Sequence, residues 1–112
     1  MDNLTTLTLV SFVYIIAGLL LRFLTPGLNR FYGYRTNNSM ANQANWDYSQ
    51  KYSGGLFAIF GISLLIICVV IEYAELNVDN IAGNLTVGIL ILGSAITTIV
   101  LTEKALKKHS EK

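Results

Sequence analysis

The sequence predicts an all-α membrane protein with three transmembrane helices and an interfacial amphipathic helix that precedes the second span. The chain of 112 residues is 53% hydrophobic and only 13% charged, whereas about a quarter of the residues in soluble domains are charged. Three stretches of roughly 20 residues carry no charged side chain, and a helix needs this length to cross a hydrocarbon core of about 30 Å. Because a spanning segment must satisfy its own backbone hydrogen bonds, each stretch is predicted to be helical.

The three spans divide one predicted membrane domain, residues 1–112, into two connections and a tail. The first helix is expected to end before Pro26, and the other two end where Glu72 and Glu103 introduce charge. The first span is expected to stay in the mature protein, because Asp2 stands where a secretory signal has basic residues. The predicted ranges are spans at 3–24, 53–72 and 80–102, a loop at 25–52 and a tail at 103–112.

The basic residues predict the orientation of the chain in a cell membrane. All eight lie in or beside the loop at 25–52 or in the tail, whereas the N-terminus and the second loop carry only acidic side chains. Lys and Arg accumulate on the cytoplasmic side of membrane proteins. The N-terminus is therefore predicted outside, and the C-terminus and the loop at 25–52 in the cytoplasm. The basic residues are Arg22, Arg30, Arg35, Lys51, Lys104, Lys107, Lys108 and Lys112.

Small residues in the second and third spans predict where helices pack. Lipid tails are as apolar as leucine, so helix association in a membrane depends on close approach at small side chains. Gly93 and Thr97 lie four positions apart and share a helix face. The spacing leaves packing within one chain and packing between chains open, so a homo-oligomer remains an option. The residues expected at helix contacts are Gly54, Gly61, Gly88, Gly93 and Thr97.

No arrangement of residues predicts catalysis, a metal ion or a cofactor, so the protein is not expected to be an enzyme. The middle of each span lacks ionisable residues, which argues against a proton-coupled transporter because such residues mark proton relays. The single Cys68 cannot build a cysteine metal site, and His109 lies in the charged tail. The net charge of +1 gives no indication of a nucleic-acid partner.

The loop at 25–52 is rich in aromatic residues, which favour the headgroup region of a bilayer. Asn38 or Ser39 is suited to cap a helix that starts at Met40 and runs into the second span. Such a helix is interpreted as lying in the headgroups before the chain turns inward. One of its faces carries Ala41, Ala44, Tyr48 and Tyr52, and another carries Asn42, Trp46 and Ser49.

The stretch NRFYGYRT is harder to explain by anchoring alone. Gly33 permits a tight turn between two tyrosines, and Arg35 is suited to bind a phosphate or carboxylate through two hydrogen bonds. A lipid headgroup, a C-terminal carboxylate and a peptide ligand all remain open as the bound group. The alternative is that the aromatic residues only anchor the loop and the basic residues only set the topology.

The loop carries Tyr32-Gly33-Tyr34-Arg35-Thr36, then Ser39-Met40 and Asn42, then Trp46 and Ser49-Gln50-Lys51-Tyr52 before Gly54. This pattern resembles the signature of the SdpI-like family, which includes YfhL-like small membrane proteins and is associated with immunity to the sporulation-delaying toxin of Gram-positive bacteria. Ser49 stands where the family pattern has Ala, and Gln50 stands where it has Asn. The residues proposed to bind a ligand or partner are Tyr32, Gly33, Tyr34, Arg35, Thr36, Asn42, Trp46, Gln50 and Lys51.

The resemblance implies a multi-pass bacterial membrane protein that protects the cell against a secreted, membrane-active peptide. The implied partners are membrane lipid, the peptide toxin and a cytoplasmic regulator to which toxin detection is relayed. The predicted cytoplasmic position of the loop disfavours a simple extracellular toxin trap. A structural or accessory subunit of a larger membrane complex is the main alternative, and a small transporter or pore is a weaker one.

Overall fold

The computed structural model describes residues 2–110, and this part of the chain contains three α-helices and no strand. The helices are α1 (Asn3–Phe23), α2 (Gln43–Tyr73) and α3 (Ile81–Ser110). Each is long and apolar enough to cross a membrane, which confirms the predicted fold class. Met1 and the last two residues of the predicted tail, Glu111 and Lys112, lie outside the described residues.

The ends of α1 follow from local side chains. The Asp2 carboxylate accepts a hydrogen bond from the Thr5 backbone N–H at 2.7 Å and so caps the helix. The last helical bond runs from the Leu24 N–H to the Leu20 carbonyl. Pro26 disfavours helical backbone at the residue before it, so the helix stops there. With 21 residues, α1 is roughly 31 Å long, close to the thickness of a hydrocarbon core.

The other two helices are about 15 Å longer than α1, and their extra length projects at the same end of the bundle. Helix α2 has 31 residues and α3 has 30. The start of α2 meets the end of α3, where the Tyr48 and His109 rings stack with centroids 4.2 Å apart and the Ser110 hydroxyl lies 3.2 Å from the Asn45 side-chain oxygen. Residues 25–42, here called the motif cap, occupy this end beyond the last turn of α1.

The predicted interfacial helix is the first part of α2 rather than a separate element. It begins at Gln43 instead of Met40, and the Asn42 side chain caps it by accepting the Asn45 N–H at 2.8 Å. The expected caps, Asn38 and Ser39, belong to a preceding turn, because extended backbone at Asn42 prevents the helix from starting earlier. The helix was expected to lie in the headgroups, but Trp46 and Ser49 on one of its faces are fully buried within the protein.

Helices α1 and α2 approach each other most closely at glycines. A Cβ atom added to Gly18 would lie 2.5 Å from the Gly54 carbonyl oxygen, and one added to Gly54 would lie 2.6 Å from the Gly18 carbonyl oxygen. A Cβ atom at Gly61 would lie 2.8 Å from the Ser11 carbonyl oxygen. Gly54 and Gly61 therefore lie at a helix contact within the chain, as small residues do in membrane bundles.

Helix α3 uses a different face from the one that its glycines suggest. Within residues 2–110, a Cβ atom at Gly88 or Gly93 would meet nothing within 4 Å, and Thr97 is exposed. Contact with α1 is made instead through Tyr14, whose hydroxyl donates to the Ile91 carbonyl at 3.0 Å. Packing of Gly88, and of the face that Gly93 and Thr97 share, against another chain stays a prediction.

Candidate functional site

The motif cap is joined to α2 by the side-chain amide of Gln50. Its oxygen accepts the backbone N–H of Tyr34 at 2.7 Å, and its nitrogen donates to the backbone carbonyl of Tyr34 at 2.7 Å. Gln50 is fully buried. A buried backbone group without a partner costs free energy, and here one side chain supplies both partners.

Trp46 and Gly33 form the second connection between the cap and α2. The fully buried Trp46 ring donates its indole N–H to the Pro26 carbonyl at 2.8 Å. Gly33 has a φ of +108°, a conformation that side chains with a Cβ atom rarely adopt. A Cβ atom there would lie 2.8 Å from the Gln50 side-chain oxygen and 3.3 Å from the Trp46 ring. Glycine is therefore required for conformation and for space.

The third connection joins the cap to α3 through Glu103. The Tyr34 hydroxyl donates to one carboxylate oxygen at 2.8 Å, and the Asn38 side-chain amide donates to the other at 3.0 Å. Burial raises the pKa of the Tyr34 hydroxyl, and the hydrogen bond to Glu103 and its charge add to the effect. The hydroxyl therefore keeps its proton and acts as the donor.

Glu103, just beyond the predicted span at 80–102, is held as a carboxylate. Burial alone would raise its pKa, but hydrogen bonds from Thr36, Asn38 and Tyr34 outweigh burial and hold the pKa below its ordinary value. Thr36 also forms a turn with Ser39, in which each backbone N–H donates to the hydroxyl of the other residue at 2.8 and 3.1 Å. The cap is thus tied to both projecting helices.

The nine residues proposed from the sequence divide into two sets. Gly33, Tyr34, Trp46 and Gln50 build the contacts that hold the cap in place. The other exposed members are Tyr32, Arg35, Asn42 and Lys51, while Thr36 is half-buried in its turn. Asn42 caps α2, and the Lys51 carbonyl accepts a hydrogen bond from the Arg22 guanidinium at 3.1 Å. The exposed set leaves Tyr32 and Arg35 as side chains available to a ligand.

An apolar groove of about 510 Å³ runs beside the cap. Its walls come from one face of α1, from Phe57 of α2 and from Ile99 of α3, and the cap contributes its polar end at Tyr32–Thr36. This arrangement is suited to an amphipathic molecule. The α1 residues are Ala17, Leu20 and Leu21, and Leu24, which directly follows the helix, continues the same wall. Within residues 2–110, no cluster of three or more His, Cys, Asp or Glu side chains is placed to hold a metal ion.

Two residues of the site were not among those proposed from the sequence. Glu103 was interpreted only as the end of the third span. It is an acidic residue beside the four lysines of the tail, and this contrast in charge was a sequence signal of a specific role. Asn29 orders the start of the cap, because its side-chain oxygen accepts the N–H groups of Phe31 and Tyr32 at 2.8 and 2.9 Å. Asn commonly binds the backbone two residues further along the chain, so this turn was open to prediction.

Comparison with known proteins identifies relatives of the same size. The family model described as the SdpI/YfhL protein family matches residues 25–102, which include the motif cap, α2 and most of α3. The chain is 35% identical over 100 residues to a Bacillus subtilis (strain 168) protein named "Uncharacterized protein YfhL", and the match covers 87% of this chain and 84% of that protein. No solved structure matches the chain. These matches confirm the resemblance seen in the loop, and the chain belongs to the SdpI/YfhL protein family.

Proposed function

We propose that this multi-pass membrane protein confers immunity or resistance to a membrane-active peptide toxin. The observation that carries the proposal is the construction of the family motif. Tyr34, Trp46 and Gln50 close the cap through buried hydrogen bonds, so that Tyr32 and Arg35 stand exposed beside an apolar groove. A motif needed only for anchoring would not require both a locked turn and an exposed arginine.

The predicted topology constrains where protection occurs. The distribution of basic residues predicts that the motif cap lies in the cytoplasm, whereas a secreted toxin arrives from the opposite side. The protein would therefore act on peptide already inserted in the bilayer, or pass a signal to a cytoplasmic regulator. Phe31 and Tyr32 have 88% and 61% of their surface accessible. Their aromatic rings offer a binding surface for the inserted peptide or for the cytoplasmic regulator.

Toxin challenge of a sensitive bacterial host tests this function. Cells that express the protein are expected to survive a several-fold higher concentration of a membrane-active peptide than cells with an empty vector. Arg35→Ala and Tyr32→Ala should abolish the protection at equal membrane abundance. Arg30→Ala is the matched control, since Arg30 is an exposed cap residue outside the groove. Full protection by both the Arg35 and Tyr32 variants would contradict this role of the motif.

The second candidate is an accessory subunit of a larger membrane complex. It is favoured by the uncovered small-residue face of α3 at Gly93 and Thr97, since such faces permit close helix contact. Purification in a mild detergent should then recover a different membrane protein at fixed stoichiometry. Recovery of the chain with itself alone would count against this candidate and would support a homo-oligomer.

A further inference from the structure

We propose that the groove beside the motif cap binds one anionic phospholipid, with an acyl chain along α1 and the phosphate on Arg35. This inference goes beyond the proposed immunity function and does not depend on it. It rests on the shape of the groove, on its apolar walls and on the free cation at its polar end.

The groove lies between α1 and α3 on the cap side of the layer where these two helices are joined. The joint is the Tyr14 hydroxyl, which binds the Ile91 carbonyl at 3.0 Å, and the Tyr14 ring packs on Phe57 with centroids 5.0 Å apart. Beyond this layer the wall of α1 continues from Ala17 to Leu24. These positions recur every three or four residues and share one face. The apolar wall thus runs along the helix axis for about 10 Å.

The polar end of the groove is built to meet an anion. Arg35 lines the groove and is exposed, and the hydrogen bonds that hold the cap within residues 2–110 do not use its guanidinium. A guanidinium binds phosphate through two parallel hydrogen bonds. Thr36, one position further along, adds a hydroxyl to the same lining. Basic pockets between helices on the cytoplasmic side of membranes typically bind anionic headgroups.

The walls favour a lipid chain over a peptide. A peptide inserted in hydrocarbon must satisfy each backbone N–H and C=O group. The helical walls of this groove offer side chains of Leu, Ala, Ile and Phe rather than free backbone groups. An acyl chain has no polar group to satisfy. The volume of about 510 Å³ also falls within the range of about 300–1,000 Å³ that is typical of ligand pockets.

Native mass spectrometry of the protein purified in mild detergent tests the site. After exchange into vesicles of phosphatidylglycerol or phosphatidylcholine, the wild-type protein should retain one phosphatidylglycerol molecule at least fivefold more often than one phosphatidylcholine molecule. Arg35→Gln should reduce this preference at least fivefold, while Arg30→Gln, the matched loss of an exposed arginine outside the groove, should leave it unchanged. Ala17→Phe, which fills the groove, should reduce retention of both lipids.

Three outcomes would overturn the proposal. Equal retention of the two lipids by the wild-type protein would indicate ordinary boundary lipid. An equal loss in the Arg30→Gln and Arg35→Gln variants would indicate a diffuse charge effect. Retention of phosphatidylglycerol by Ala17→Phe at the wild-type level would show that the lipid lies outside the groove. Because lipid retention is measured without toxin, failure here and failure of the immunity function remain distinguishable.

Discussion

Gln50 and Tyr34 are joined by two hydrogen bonds of 2.7 Å, in which one side-chain amide satisfies both backbone groups of a residue 16 positions earlier in the chain. The pair is buried, so water cannot replace either bond. Gln50 is therefore a buried member of the three connections that hold the motif cap over the end of the bundle.

Replacement of Gln50 by leucine should release the cap. The variant leaves the Tyr34 N–H and carbonyl without partners, and each unsatisfied buried group costs about 1–3 kcal/mol. We expect the free energy of unfolding in detergent to fall by roughly 2–6 kcal/mol, together with faster proteolysis of residues 25–42. The control is Gln43→Leu, because Gln43 is exposed on the same helix and its side chain donates to the Asp47 carboxylate rather than to the cap. An equal loss in the two variants would contradict the assigned role of Gln50.

Gly33→Ala should damage the same contact from the opposite side. The residue has a φ of +108°, and a new Cβ atom would lie 2.8 Å from the Gln50 side-chain oxygen. Such backbone strain costs about 1–3 kcal/mol, and displacement of the amide would add to it. Thermal unfolding in detergent measures the effect. Gly27→Ala is the matched control, since a Cβ atom at Gly27 meets nothing within 4 Å, and its melting temperature should stay close to that of the wild-type protein.

Some of this architecture could be predicted from the sequence because it depends on local properties. The length of an apolar stretch and the distribution of lysine and arginine indicate spans without knowledge of contacts, and the three helices were expected for this reason. Gly54 and Gly61 lie where α1 and α2 approach each other closely. In contrast, Gly88 and Gly93 look the same in sequence but face away from the other helices of the chain. Residue size does not reveal which face of a helix meets a neighbour.

The site was harder to predict, because its partners are far apart in the chain. Tyr34 and Glu103 are separated by 69 positions, and neither residue indicates the other without the fold. The start of α2 was misplaced by three residues, since Asn38, Ser39 and Asn42 are all suitable N-caps. The structure uses Asn42 as the cap and the Thr36–Ser39 turn as part of the motif cap. Sequence analysis identified the right segment but could not separate residues that hold the cap from residues that it presents.

Docking of the cap should depend on pH at both extremes. The pKa of Glu103 is lowered in the folded state, so its contribution is present above the ordinary value of about 4.3 and is lost as pH falls through the lowered pKa. The pKa of Tyr34 is raised, so its contribution is present below about pH 10 and is lost as pH rises through the raised pKa. Stability from this pair is therefore expected to be greatest between about pH 5 and 10.

The fluorescence of Trp46 offers a direct measurement of this dependence, since it is the single tryptophan of the chain and is fully buried against the cap. A red shift of its emission should accompany undocking in acid. Glu103→Gln should remove most of the acid-side transition, and Tyr34→Phe should remove the alkaline one. An acid transition that is identical in wild-type protein and Glu103→Gln would show that another group controls docking.

The last prediction concerns the side of the membrane on which the cap lies. Cysteines introduced at Asn77 in the second loop and at Ser110 at the end of α3, both exposed, report opposite ends of the bundle in a Cys68→Ala background. The distribution of basic residues predicts that the second loop lies outside and the end of α3 lies inside. A membrane-impermeant maleimide added to intact cells should therefore label Asn77→Cys and not Ser110→Cys. Labelling of both after cell lysis is the control for reactivity. The reverse pattern would place Arg35 and its groove in the outer leaflet, where a secreted peptide first meets the bilayer, and direct capture of the toxin would then become the favoured form of immunity.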